Sequence, residues 1–246
     1  MSFGLAERDV KALLQVVGSG SRDDDGPVVP WSLLHDLREL VACDNVQVYG
    51  QDTPRRDEFA SQDLPGIGES SVDGDAYWPN YWDSPCSYPD RSGDLRSVVM
   101  ISDFCSLRQW HESGMYNEYV GLFGVEHEIA VCLPVGPGRT LKFLFARSAG
   151  PDFSERDRAV LTLLRPHLHA AYVAAERRRL GISPLTPRQQ EVLQYVAAGF
   201  SNTQIARRMA ISEATVRKHL ENIFQRLNVT SRTAAVGRVG AEPYAS

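Results

Sequence analysis

The chain has 246 residues, 43% hydrophobic and 23% charged, with a formal net charge of -5. Those values exclude low-complexity disorder, a collagen repeat and a disulfide scaffold as descriptions of the whole chain, and the length allows one or two domains. No run approaches the ~20 apolar residues of a membrane span, and residues 1–9 lack the basic stretch and apolar core of a signal peptide, so the expectation is a cytoplasmic protein with no membrane partner.

The first segment reads as a helix, because Leu5, Val10, Leu13, Leu14 and Val17 keep an approximate 3.6-residue period. It ends in Gly18-Ser19-Gly20-Ser21 and an acidic loop around Asp23-Asp24-Asp25. A second helix is predicted over 31–41, with Leu33, Leu34, Leu37, Leu40 and Val41 on one face. Residues 45–49 alternate and read as a strand. Residues 63–97 form a long polar excursion with an aromatic island, Tyr77, Trp78, Tyr81 and Trp82, inside it. The run Val98-Val99-Met100-Ile101 is too short to assign to helix or strand. Short helices are predicted near 107–113 and 116–123. Strands follow at 128–135 and 140–147, joined by Gly136-Pro137-Gly138 as a hairpin. A long helix comes next, capped by Ser154 with Asp157 and containing Pro166, a residue that can kink it. Ser183-Pro184 marks a joint, which divides the chain into 1–180 and 181–246.

The two parts differ in charge. Residues 181–246 hold eight basic and four acidic residues, a surplus of four positive charges, while residues 1–180 hold 18 basic and 27 acidic ones. That asymmetry suits a nucleic-acid-binding module on an acidic partner domain.

The C-terminal part is dense in helix signals. Thr186-Pro187 is an N-cap followed by proline at the first helical position, and Gly199 ends that helix. Ser201-Asn202 opens a short helix carrying Ile205, Ala206 and Met209. Ser212 caps a third helix, in which Val216, Leu220, Ile223 and Leu227 form the core stripe, and Ser231 caps a fourth. Helix, short turn, helix is the geometry that sets its second helix into a DNA major groove. With Val216 pointing inward, the helical rotation turns Ala214, Lys218, Asn222 and Gln225 outward, with Thr215, Arg217 and Glu221 beside them. Hydrogen-bonding side chains near a helix start are what reading base edges requires. Arg226 and Arg232 suit phosphate contacts. Asn202 serves equally well as a cap, and Val216 belongs to the core.

These residues resemble a known family. The runs from Leu185 to Leu193, from Ala197 to Asn202, from Ile211 to His219 and from Leu227 to Arg232 are similar to the LuxR-type (NarL/FixJ-type) four-helix DNA-binding domain. The resemblance implies a bacterial transcription regulator that binds double-stranded DNA as a homodimer, with contacts from Thr215, Arg217 and His219; Asn202, Ser212, Lys218, Arg226 and Arg232 complete the candidate DNA-binding set. It places Lys218 at a specificity-setting position. Glu221 stands where many members carry a basic residue, and Gln189 where the family usually has Glu.

The N-terminal part lacks the βα alternation of a phospho-acceptor receiver, and no lysine lies between Lys11 and Lys142. Its stretches around Phe153–Arg158 and Leu163–Leu168 resemble GAF-like input domains, and the island at 77–85 faintly resembles an acyl-homoserine-lactone domain. The expected fold is therefore α+β: a GAF/PAS-like antiparallel sheet with flanking helices, then an all-α four-helix domain. A small-molecule pocket, if there is one, is expected to use Trp78, Tyr81, Trp82, Trp110, Tyr116 or Tyr119. The preferred alternative has these rings covering the sheet or forming the core of a protein-interaction domain. Two further roles stand beside the sensor: an orphan quorum-signal receptor, and a ligand-independent regulator whose N-terminal domain binds another protein.

No nucleotide-binding, hydrolase or metalloprotease motif is present. Cys43, Cys86, Cys105 and Cys132 show no Cys-x-x-Cys pair, so the expectation is buried thiols in a reducing compartment. His127 faces away from Glu126 and Glu128 at strand spacing. No enzyme activity, cofactor, catalytic residue or metal site is expected.

Overall fold

A computed structural model of the chain describes residues 7–20, 26–64, 76–148, 150–180 and 185–240. The acidic loop at 23–25, Leu5 of the first predicted helix, and the expected joint at Ser183-Pro184 lie outside the described residues. The chain divides into two compact units, Met1–Val173 and Ala174–Ser246. Among the described residues no helix is long and apolar enough to cross a membrane.

The first unit opens with α1 (Glu7–Ser19) and α2 (Trp31–Val41), followed by the hairpin of β1 (Asn45–Asp52) and β2 (Asp57–Asp63). Short elements come next: α3 (Tyr77–Tyr81), a 3-10 turn (Pro85–Ser87), α4 (Tyr88–Ser92), β3 (Val98–Met100), α5 (Leu107–His111) and α6 (Gly114–Glu118). The unit then forms β4 (His127–Gly136) and β5 (Arg139–Arg147) and enters α7 (Glu155–Arg179). The division between units falls inside α7, upstream of the border at 180 and 181 expected from composition.

The five strands make one sheet in the order β2-β1-β5-β4-β3, every pair antiparallel. Cross-strand register explains its main core. Val46 faces Phe145, which faces Ile129; Val48 faces Phe143, which faces Val131. All of these are buried, together with Leu34 and Leu37 of α2 and Val160, Leu161, Leu164 and Leu168 of α7. Burying a Phe or Leu side chain of this kind contributes roughly 1.5–3 kcal/mol. The undecided run at 98–101 is a strand that passes into a 3-10 turn, Ile101–Asp103.

Composition hides β2, whose residues are Asp, Glu, Ser and Gln as much as apolar. It is an edge strand, where charge discourages pairing with other chains. Its buried residue is Gln62, whose Oε1 accepts from Val28 N (2.8 Å) and Val29 N (2.9 Å) while Nε2 donates to Val29 O (3.0 Å). Gly50, at the β1 bulge, is required by close approach: a Cβ there would sit 2.3 Å from the Phe59 ring. The β4–β5 turn relies on Gly138 at φ +68.

The helix α7 begins with a reciprocal cap. Ser154 N and Oγ both donate to Asp157 Oδ2 at 2.9 Å, and Asp157 N donates to Ser154 Oγ at 3.3 Å. The helix continues through Pro166.

The second unit holds α8 (Pro187–Ala197), α9 (Asn202–Met209), α10 (Glu213–Arg226) and α11 (Arg232–Gly240). Side-chain oxygens of Thr186, Ser201, Ser212 and Ser231 accept from backbone N–H groups three residues on. One core joins Val192 and Val196 of α8, Ile205 and Met209 of α9, Val216, Leu220 and Ile223 of α10, and Ala235 of α11.

Candidate nucleic-acid interface and a small cavity

The turn between α9 and α10 is three residues long, with Ala210 in the left-handed region at φ 52. It leads into Ser212, whose Oγ accepts from Thr215 N (3.0 Å) and lies 2.8 Å from Thr215 Oγ1. The start of α10 is thereby fixed, and its orphan N–H groups form a positive pole suited to a phosphate. Val216 and Leu220 are buried on one side, while Ala214, Thr215, Arg217 and Lys218 are exposed on the other. Gln225 is exposed and Asn222 half-buried, so the outward face predicted by helical rotation is largely open. His219 and Arg226 are half-buried.

Two charges on this face have partners within the helix. Lys218 Nζ lies 3.3 Å from Glu221 Oε2, and Arg217 Nη2 lies 3.8 Å from Glu213 Oε1. Solvated pairs of this sort are weak, so either cation can turn toward a phosphate or a base edge at little cost.

Asn202 and Arg232 do something the sequence did not connect. Arg232 Nη1 donates to Asn202 Oδ1 at 3.0 Å, and Nη2 donates to Phe200 O. The pair ties the start of α11 to the start of α9. Arg232→Ala is therefore expected to destabilise the isolated protein by about 1–3 kcal/mol, since it removes charged hydrogen bonds and orphans a carbonyl. Thermal unfolding followed by helical circular dichroism checks this; an unchanged midpoint would show the tie to be negligible.

In the first unit the aromatic island is a cluster of its own. Tyr81 and Trp110 are fully buried, with Trp78, Tyr116 and Tyr119 packed against the same group, and Trp82 is 37% exposed. Ring centroids lie 5.4 Å apart for Trp78 and Tyr81 and 5.8 Å apart for Trp110 and Tyr116, in edge-to-face geometry. Such pairs add about 0.5–1.5 kcal/mol each beyond burial. Tyr116 also donates to Glu126 (2.8 Å), which lies 2.5 Å from His111 Nε2.

None of these six rings is among the residues that line the cavity found on the second face of the sheet. That cavity, of about 20 Å³, is bounded by Tyr49, Glu128, Cys132 and Lys142 on the strands and by Pro85, Cys86 and Phe104 opposite them. The space holds about one water.

Lys142 is the unexpected residue. It is 2% exposed, opposite Cys132 on β4 and Tyr49 on β1. Its Nζ donates to Tyr81 Oη (2.8 Å), Cys86 O (3.3 Å) and Asp90 Oδ2 (3.3 Å). Tyr81 Oη donates to Asp90 Oδ2, and Thr53 Oγ1 donates to Asp90 Oδ1 at 2.9 Å. The network pins α3, the 3-10 turn and α4 onto the sheet. Tyr49 Oη and Tyr77 Oη lie 3.2 Å apart, and burial raises both phenols well above their ordinary range.

Burial also pushes the Cys86 thiol up to about 12 and the Cys132 thiol up to about 11, so neither is a ready thiolate. Of the four thiols, Cys43 and Cys132 are buried, but Cys86 and Cys105 are only half-buried, packed against the aromatic cluster. No group of three or more potential ligands that could hold a metal ion occurs among the described residues. The sequence signal for Lys142 was its place in Leu141-Lys142-Phe143-Leu144-Phe145, where period-two alternation assigns it to the face opposite the core.

Residues 183–239 match the family described as bacterial regulatory proteins, luxR family. The HTH-type transcriptional regulator y4qH of Sinorhizobium fredii is 33% identical over 146 residues, which is 58% of this chain and 44% of that protein. A nitrate/nitrite response regulator protein homolog of Haemophilus influenzae is 48% identical over 54 residues, 22% of this chain and 26% of its own. The chain thus spans less than half the length of these relatives. Among solved structures, SdiA in complex with octanoyl-rac-glycerol aligns over 98% of this chain and 97% of its own, with a TM-score of 0.54 at 15% identity. The VqsR LBD domain from Pseudomonas aeruginosa aligns over 69% of this chain and 97% of its own, with a TM-score of 0.51 at 17% identity. Those two likenesses are of fold, and they agree with the α+β arrangement of the first unit. The segment 183–239 is a helix-turn-helix domain of the luxR family of bacterial regulatory proteins.

Proposed function

We propose that the chain is a sequence-specific DNA-binding transcription regulator that acts as a homodimer, with an N-terminal sensing domain and a C-terminal helix-turn-helix. The observation that carries this reading is α10, buried along Val216, Leu220 and Ile223 and open along Thr215, Arg217 and Lys218. Ser212, Thr215, Arg217, Lys218 and His219 are assigned to DNA contact and Arg226 to phosphate. Asn202 and Arg232 join the interface chiefly by setting the start of α9, given their mutual hydrogen bond. Two-fold pairing of such domains puts two recognition helices on successive major grooves.

Selection of bound sequences from a genomic DNA library with the full-length protein tests the reading; enrichment of a two-fold-symmetric site is expected, and no enrichment overturns it. Lys218→Ala is expected to shift the preferred sequence by about 1–3 kcal/mol at one position, whereas Arg226→Ala weakens all sequences about equally and lowers the salt slope by about one. Equal losses on matched and scrambled DNA for both variants would refute that division of roles.

The sensing role of the first unit is supported by its cavity and by its likeness in fold to SdiA, whose structure holds octanoyl-rac-glycerol. The small cavity volume favours a second reading, in which the first unit binds another protein and needs no ligand.

A further inference from the structure

Among the described residues, the cavity wall holds one acid, Glu128, with no hydrogen-bond or ion-pair partner. Lys142 and Asp90 compensate each other, and the lysine spends its protons on Tyr81 Oη, Cys86 O and Asp90. Glu128 stands on β4 opposite Ala146, two side-chain rows along the same face from the Cys132–Lys142 pair. At about 3.4 Å per residue those rows are about 14 Å apart along the strand, and Lys142 lowers the Glu128 pKa through its charge without a hydrogen bond or ion pair to it. No hydrogen bond or ion pair reaches the Glu128 carboxylate from the described residues. The same wall holds Val99, Ala130, Leu144 and Phe104, and also Lys142. Of the titratable groups that act on it among the described residues, namely Tyr77, Cys86, Tyr119, Cys132 and Lys142, only Lys142 is cationic.

An unpartnered carboxylate in a mostly apolar wall disfavours an anion and rewards a cation that brings its own N–H donors. The volume narrows the class. About 20 Å³ admits one water-sized group, which a primary ammonium is and a quaternary ammonium or a guanidinium is not. We propose that this cavity receives the primary ammonium group of a small amine, with Glu128 as its counter-ion. The inference rests on the sensing role of the first unit and names the chemistry of what is sensed. The hydrocarbon part of the amine would pack against Phe104 and Leu144.

The test is isothermal titration of the full chain with n-butylamine, with n-butanol and butyrate as size-matched neutral and anionic probes, at pH 6 and pH 8. Burial pushes Glu128 up to about 7. The ionised form binds the ammonium, so butylamine should bind about tenfold more weakly at pH 6 than on the alkaline plateau. Glu128→Gln should lose at least tenfold in amine affinity and its pH dependence. In the unsubstituted protein, the carbon-13 shift of the Glu128 carboxyl should move to its ionised value when butylamine is added at pH 6, a reading that does not depend on any variant folding. Binding of butylamine by Glu128→Gln as tightly as by the parent overturns the proposal, as does an unmoved carboxyl shift. A response to butanol or to a neutral monoacylglycerol that equals the response to butylamine also overturns it, yet leaves a sensing role standing. None of these readouts involves DNA, so failure of the DNA-binding reading would show only in the library selection.

Discussion

Replacing Lys142 by methionine is expected to lower the stability of the first unit by about 3–5 kcal/mol, the usual penalty for leaving one partner of a buried pair alone. Asp90 would keep its donors from Tyr81 and Thr53 but lose the only ammonium that reaches it among the described residues. The loss should be read by denaturant unfolding followed by tryptophan fluorescence. All four tryptophans, Trp31, Trp78, Trp82 and Trp110, belong to the first unit, so the signal reports that unit alone. The double variant Lys142→Met with Asp90→Leu removes both charges and should recover most of the loss, because apolar replacement of a buried ion pair is often neutral. Recovery is the decisive part. If the double variant is as unstable as the sum of the two single ones, the pair is not coupled and the short helices must be held to the sheet by packing. The expected defect is also local: helical circular dichroism from α8 to α11 should survive at denaturant concentrations that release the tryptophans.

The C-terminal domain was legible because its signals are local. Four Ser or Thr caps, Gly199 at φ +82 and a 3.6-residue apolar stripe each act within one or two turns. The hairpin of β4 and β5 was legible for the same reason, since alternation and Gly-Pro-Gly lie next to each other. What was not legible depends on covering. Alternation along β5 separates Leu141, Phe143 and Phe145 from Lys142 and Leu144, but it cannot say that the second face is itself buried. That burial comes from Tyr77–Ser92, a stretch whose Pro, Asp and Ser content reads as loop. Its helices are five residues each and too short to show a period. Hence Lys142 and Glu128 read as solvated strand residues, Asp90 as loop, and the visible rings, Trp78 to Tyr119, drew attention to a cluster beside the cavity instead of to its wall. Strand β2 was missed because its inward side chain is a glutamine that makes hydrogen bonds where a core strand would place valine.

Glu128 should also leave a mark on stability in the absence of any ligand. Burial moves its folded value from 4.5 to about 7. Between those two values the folded protein holds a proton that the unfolded chain has released, so this group costs nothing below about pH 4.5, an increasing amount as pH rises to 7, and a constant amount above. A gap of between two and three pKa units corresponds to about 3 kcal/mol. Glu128→Gln has no proton to lose. The variant should match the parent near pH 4 and exceed it at pH 8 by up to about 3 kcal/mol, in the same tryptophan-detected unfolding. Taking the difference between variant and parent at each pH removes contributions shared by both, including those of Glu58, Asp63 and His169, whose values are also shifted by burial. A difference that stays flat from pH 5 to pH 8 would mean that Glu128 finds a partner or water in solution. A difference that grows with pH would measure a cost that a bound ammonium can relieve. In that case the substitution that stabilises the free protein is the one that removes its affinity for the amine, the trade expected when a half-buried charge is kept for binding and not for folding.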